Sequence, residues 1–224
     1  MTMESPTIQT YTYEFVHSLL RKSFTLEKLQ HEWKQQFSVD YSTLTLALLT
    51  KDPQLYIHSH RVQHYTRRLL SALNLSKSEA RTIELAALFH DIGKISTHDK
   101  VLHKESPLTK QEFEHIKEHP ARGAFLLNQT RTLGRAASLV EHHHEHWDGY
   151  GYPDGLRGEA IPLGARIIAI ADAFEAMTAP RAYQILRTRV QALAELRICA
   201  GRQFDPLLVD RFCTTLGSNT HVSI

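Results

Sequence analysis

Apolar residues recur at helical spacing along most of the chain. The i, i+3, i+4 rhythm runs through YEFVHSLLRKSF, LEKLQHEWKQQF, YSTLTLALL, HSHRVQHYTRRLLSALNL and EARTIELAALFHDIGK. It resumes in EFEHIKEHPARGAFLL, LGRAASLVEHHHEHW, LGARIIAIADAFEAMT, VQALAELRICA and DPLLVDRFCTTL. Such a stripe buries one face of an α-helix against its neighbours, whereas strand-like alternation is nearly absent. The pattern predicts an all-α helical bundle over residues 45–214. Residues 1–44 read as a short helical N-terminal extension and 215–224 as a loose tail. One stretch breaks the rhythm: WDGYGYPDGLRGEAIP, residues 147–162, whose glycines and prolines predict a long structured loop.

Periodicity also sorts the histidines. In the run HHHEH, His143 falls i+4 from Leu139, and His144 falls i+4 from Val140. Both are expected to look inward, whereas His142 and His146 share a face with Arg135 and Ser138 and look out. In the upstream helix, His58 lies on the stripe of Val62, Tyr65, Leu69 and Leu73. His60 and His64 fall on the polar face with Arg67, Arg68 and Ser71. Singly, a histidine on an apolar stripe is more often a hydrogen-bonded core residue than a ligand.

Carboxylates in apolar runs are harder to place. His90 and Asp91 end the run ELAALF, and Asp172 follows IIAIA. An isolated buried carboxylate is very costly, so each needs a partner. Lys94 is one for Asp91, and nothing basic in its own segment serves Asp172, which points to a bound cation. Aspartates with several inward histidines on separate helices form a mixed N/O donor set. That set suits Fe, Mn, Zn or Ni better than the oxygen-preferring Ca or Mg. The donors exceed what one ion needs, so two ions sharing a carboxylate are expected, an arrangement that hydrolyses phosphate esters.

Composition narrows the partners. The net charge of +2 supplies no strong field for a nucleic acid polymer or a membrane, so an anionic ligand must be held by local groups. There is neither a secretory signal nor an 18-residue apolar run. Cys199 and Cys213 are therefore expected to be reduced thiols in a cytoplasmic protein. The N-terminal extension is too short for a separate sensor domain, and LEKLQHEWKQQF offers a surface either for packing on the bundle or for a homodimer. Regulation is then expected from a partner, from assembly or from metal supply.

Seven ordered blocks carry a family resemblance: HSHRV, LFHDIGK, LHKESPLT, IKEHPARG, HHEHWDGYGYP, IPLGARIIAIADAFEAMTAPRAYQ and AGRQFDPLLV. The chain resembles the HD-GYP group of the HD superfamily of metal-dependent phosphohydrolases, from about His58 to Phe212. The resemblance implies an HD-type helical bundle with a dinuclear centre that hydrolyses cyclic di-GMP to linear pGpG and, by further cutting, GMP. It implies His58, His90, Asp91, His119, His143, His144 and Asp172 as metal ligands, with Asp91 bridging. Periodicity alone leaves His119 and His115 open, and the resemblance places the ligand in KEHPARG. A third metal in some members uses a glutamate where this chain has Gln54, so two ions are expected. Asp52, before a proline, reads as a helix N-terminal residue.

Lys94 is read two ways, as a group touching a phosphate oxygen or the leaving group, and as an ion-pair partner of Asp91 or Glu175. Arg181 is implied as a phosphate contact. Gln184 stands where the family usually has a second basic residue, which opens cyclic GMP-AMP as an alternative substrate. In the loop, Gly149 and Gly151 permit tight turns. Tyr152 offers a hydroxyl or a stacking face to guanine, or packs on the bundle for stability. The resemblance also implies contact between this loop, with Tyr150 and Trp147, and a diguanylate cyclase. A weakly active or inactive module that senses cyclic dinucleotides and docks a diguanylate cyclase is the reading from another class.

Overall fold

A computed structural model of the chain describes residues 41–180 and 186–217. The helices expected in YEFVHSLLRKSF and LEKLQHEWKQQF lie outside these residues, as do Arg181, Gln184 and most of the tail. The described residues form ten α-helices and no strand. These are α1 (Tyr41–Lys51), α2 (Pro53–Leu70), α3 (Lys77–Phe89), α4 (Asp99–Leu102) and α5 (Lys110–Lys117). Then come α6 (His119–Asn128), α7 (Gly134–Glu141), α8 (Leu163–Thr178), α9 (Arg189–Cys199) and α10 (Pro206–Gly217). Short 3-10 turns cover Ile92–Ser96 and Gly158–Ala160.

Helix starts follow local chemistry. Asp52 Oδ1 accepts from Gln54 N at 2.8 Å and Pro53 opens α2, so Asp52 is the cap its position suggested. Reciprocal capping boxes open α3 (Ser76 with Glu79), α5 (Thr109 with Glu112) and α9 (Thr188 with Gln191).

Helix ends depart from the sequence pattern in three places, and all three lie at the site. The run EARTIELAALFHDIGK stops being α-helical at Phe89 and tightens into the 3-10 turn Ile92–Ser96. Gly93 in that turn lies so close to α6 that an added Cβ would stand 2.0 Å from the His119 carbonyl oxygen. EFEHIKEHPARGAFLL divides at Glu118, because Pro120 is tolerated only in the first turn of a new helix, α6. LGRAASLVEHHHEHW ends its helix at Glu141, and His142, His143 and His144 lie in the turn that follows.

The apolar α8 sits centrally and packs on α2, α3, α7, α9 and α10. Leu69, Phe89, Ile92, Ile168, Phe174 and Phe212 are among its fully buried surroundings and its own face. Burying such side chains contributes about 1.5–3 kcal/mol each. Cys199 is half-buried and Cys213 buried, both unpaired, and burial pushes the Cys213 thiol up.

Loop 147–162 is tied down at its start. Trp147 N and Asp148 N donate to the carbonyls of Gln203 (3.1 Å) and Arg202 (2.8 Å) in the α9–α10 turn. The Arg166 guanidinium lies over the Trp147 ring and pairs with buried Asp205 at 2.7 Å. Gly149 has φ +86°, and a Cβ on Gly151 would stand 2.3 Å from His146 N. Both positions need glycine.

Candidate metal centre

Five segments bring chemistry to one point. The α2 helix carries His58, the end of α3 carries His90 and Asp91, and the first residue of α6 is His119. The turn after α7 carries His143 and His144, and α8 carries Asp172. His58 Nε2 lies 3.2 Å from Asp172 Oδ1 and 3.3 Å from His90 Nε2. His119 Nε2 lies 3.4 Å from His143 Nε2. The donor atoms of His58, His90 and Asp172 fall within 4.8 Å of one another, as do those of His119, His143 and His144. Asp91 stands between the groups, with Oδ2 3.5 Å from His90 Nε2 and Oδ1 3.1 Å from His119 Nε2.

The far nitrogen of four of these rings is anchored. His90, His119 and His143 direct Nδ1 to the carbonyls of Ala87 (2.8 Å), Ile116 (2.8 Å) and Val140 (2.6 Å). His58 Nδ1 meets Glu175 Oε2 at 2.6 Å. Carbonyls and carboxylates only accept, so each Nδ1 carries the hydrogen and Nε2 faces inward. His143 and His144 are kept neutral by burial, reinforced by neighbouring imidazoles. His143 is driven well below its usual range and His144 down to about 3. Burial also lowers His119, although Asp91 partly offsets it. Burial alone would raise Asp91, but Lys94, His90 and His119 hold it well below its ordinary value. Asp172 is likewise raised by burial and held low overall by His58. For His58, burial lowers the ring, yet Asp172 and Glu175 outweigh it and bring it up to about 9.

Asp91 Oδ1 tests whether this set suits a cation. It is buried and satisfied by no hydrogen bond of good geometry, with His119 Nε2 as its neighbour at 3.1 Å. An anionic oxygen left so is costly, and a divalent cation among the surrounding Nε2 atoms satisfies it. The mixed imidazole–carboxylate set fits a transition metal.

The remaining expectations fall as follows. Lys94 Nζ sits 2.7 Å from Asp91 Oδ2, the ion-pair arrangement. Asp172 is 23 % exposed at the cavity and has His58 as partner, so it is less isolated than its apolar run suggested. His119, not His115, points into the cluster. His115 lies 2.9 Å from the buried guanidinium of Arg122. Tyr152 stacks on His144 with centroids 4.9 Å apart, and Lys117 Nζ lies 5.3 Å from its ring centre. Gln54 is exposed at the cavity rim.

His142 and His146 are half-buried rather than outward-facing, because the helix that would point them outward ends at Glu141. His142 Nε2 instead contacts Asp154 Oδ2 of the loop at 3.0 Å. Two carboxylates were missed. Buried Glu145 accepts from Asp154 N and Gly155 N at 2.8 and 3.0 Å, fastening the loop beneath the histidines. Glu175, which anchors His58, lies three positions after Asp172 on the same apolar helix. The charge-in-apolar-run argument that selected Asp172 applied to it equally.

This helical fold with its His/Asp cluster defines a class. The HD domain family's sequence model matches residues 43–208, and the chain belongs to that family. Within it, the loop block HHEHWDGYGYP assigns the chain to the HD-GYP group. The chain is 44% identical over 171 residues to the cyclic di-GMP phosphodiesterase response regulator RpfG of Xanthomonas campestris, covering 75% of this chain and 45% of RpfG. It is 41% identical over 155 residues to 3′3′-cGAMP-specific phosphodiesterase 2 of Vibrio cholerae, covering 68% of this chain and 30% of that protein. Its fold matches that of an HDG"Y"P protein from Bdellovibrio bacteriovorus with TM-score 0.61 at 16% identity, covering 94% of this chain and 69% of the other. The chain thus spans about half or less of the length of these two curated relatives. No helix among the described residues is long and apolar enough to cross a membrane.

Proposed function

We propose that the protein is a metal-dependent phosphodiesterase that opens cyclic di-GMP to linear pGpG. The observation that carries this reading is the pair of Nε2-lined donor groups sharing Asp91. They meet a cavity of about 590 Å³ walled by His58, Asp91, Lys94 and Asp172. That size suits a small-molecule ligand, and the names of the relatives supply its class. In this reading His58, His90 and Asp172 would hold one divalent ion, iron or manganese, and His119, His143 and His144 a second, with Asp91 shared. Such a pair, when bound, supplies Lewis acidity and a hydroxide nucleophile at neutral pH.

The chain's own groups then divide the work. Glu175 and the three carbonyls hold the imidazoles in the ligating tautomer. Lys94, one turn after Asp91, donates to a phosphate oxygen or to the departing 3′ oxygen. Tyr152, stacked on His144, presents its hydroxyl or free edge to a base. Arg181 belongs to the same proposal as a phosphate contact. So does docking of a diguanylate cyclase on the loop, where Tyr150 is 87 % exposed. Because the proposed substrate is an intracellular messenger, the proposal puts the protein in the cytoplasm.

Cyclic GMP-AMP is the second reading, favoured by the 41% identity to the Vibrio cholerae enzyme named for it. The test loads the protein with Mn or, anaerobically, Fe(II), offers each cyclic dinucleotide, and resolves products by chromatography beside an Asp91→Ala variant. Cleavage abolished by the substitution is expected. Metal-loaded protein that cleaves neither substrate overturns the enzyme reading in favour of a sensing module.

A further inference from the structure

The walls of the site cavity carry charges of both signs. Asp52, Asp91, Asp172 and Glu175 line it, and among the described residues four basic side chains stand with them, His58, Arg61, Lys94 and His103; Arg181, proposed above as a phosphate contact, lies outside the described residues. A cyclic dinucleotide carries two phosphates, and a single hydrolytic centre engages one of them. The other must lie elsewhere in this carboxylate-bearing cavity, where it needs a cation of its own.

Three of these four are committed, His58 between Asp172 Oδ1 (3.2 Å) and Glu175 Oε2 (2.6 Å). Lys94 Nζ is held at 2.7 Å by Asp91 Oδ2, at the cluster itself. His103 has Nε2 3.3 Å from Asp52 Oδ2 and Nδ1 3.2 Å from the Asp99 carbonyl oxygen. Arg61 is different. It lies one turn beyond His58 on α2, its side chain is 48 % exposed, and its nearest recorded carboxylate oxygen, Glu175 Oε1, is 3.6 Å away. That separation is too long for a hydrogen bond, so the guanidinium is held near the cavity but keeps its donors. Glu175 meanwhile directs its other oxygen to His58 at 2.6 Å, which fixes the carboxylate and the direction in which Arg61 leans.

Resting on the phosphodiesterase reading, we propose that Arg61 holds the second, unreacting phosphate of the cyclic dinucleotide. A planar guanidinium with free donors matches two phosphate oxygens at once. By this role Arg61 makes the site select substrates with two phosphates over simple diesters. It contributes ground-state and transition-state binding alike, so it acts on KM more than on kcat.

The test compares metal-loaded full-length wild type, Arg61→Gln and Arg61→Lys on cyclic di-GMP and on bis(p-nitrophenyl) phosphate, which has one phosphate. Metal content is measured for each protein. In Arg61→Gln, KM for cyclic di-GMP should rise about 10- to 100-fold, the range for a lost charged hydrogen bond. The loss on the one-phosphate ester should be at least tenfold smaller, metal content should hold, and lysine should restore part of the affinity. Equal losses on both substrates, or falling metal content, would show that Arg61 acts only through Glu175 and His58, and would overturn the proposal. Unchanged KM on both would overturn it too. A wild type that cleaves the simple ester but neither binds nor cleaves cyclic di-GMP would instead remove the parent reading, and this proposal with it.

Discussion

Replacing Gly93 by alanine tests whether the approach of two backbone segments sets the centre. The added Cβ would meet His119 O at 2.0 Å, Gly123 N at 2.8 Å and His119 C at 2.9 Å. An ordinary contact begins near 3.4 Å, so the 3-10 turn and α6 must part by about 1.4 Å. All three atoms are backbone, and no rotamer change relieves them. Overpacking typically costs about 1–3 kcal/mol, and this site belongs at the upper end. For a chain of this length that is a fall of roughly 6–12 °C in Tm. The same displacement opens the 3.1 Å approach of Asp91 Oδ1 and His119 Nε2, and misplacement by about 1 Å can cost roughly 100-fold in turnover. Calorimetry, metal analysis and turnover would be read together. Gly134→Ala is the control, since its nearest neighbour would be Asn128 Oδ1 at 3.7 Å. It lies at the start of α7 and should be neutral or stabilising by up to about 1 kcal/mol. A Gly93→Ala protein with unchanged Tm and full metal content would refute the reasoning.

Glu175→Gln should keep the fold but weaken metal binding about 10- to 100-fold by loosening His58, read by competition with a chromophoric chelator. Unchanged affinity would mean that the 2.6 Å contact orients nothing. Stripping the metal should lower Tm, and adding Mn at 100 times its Kd should restore about 2.7 kcal/mol of stability; a metal-insensitive Tm contradicts the donor-set assignment. Gly151→Ala places a Cβ 2.3 Å from His146 N and 2.4 Å from Glu145 Cα. It should shift Tyr152 off His144 and raise KM while the metal remains bound. Loss of metal with unchanged KM would reverse that order of effects.

Sequence by itself determined what depends on local chemistry. The helical rhythm located the described bundle helices other than the four-residue α4, and for α8 it matched Leu163–Thr178 from end to end. Capping residues such as Asp52 were legible because a cap bonds its own near neighbours. His58, His90 and Asp172 were visible as polar groups in apolar surroundings, and the glycines of the GYP loop as positions for tight backbone. Inward placement of His143 and His144 was read from a helix face that does not extend to them. The turn after Glu141 delivers them instead.

Tertiary structure decided the rest, because it depends on groups far apart in the chain. The helix breaks at Phe89 and Glu118 place His90, Asp91 and His119 where two segments meet, and the close contact at Gly93 is visible only once those segments touch. His58 is oriented by Glu175 from 117 positions away. Periodicity could not separate His119 from His115; packing turns the first ring to Asp91 and the second to Arg122. Periodicity gives the direction of a side chain relative to its own helix axis, whereas a ligand set is defined by distances between atoms on five segments. Only packing supplies those.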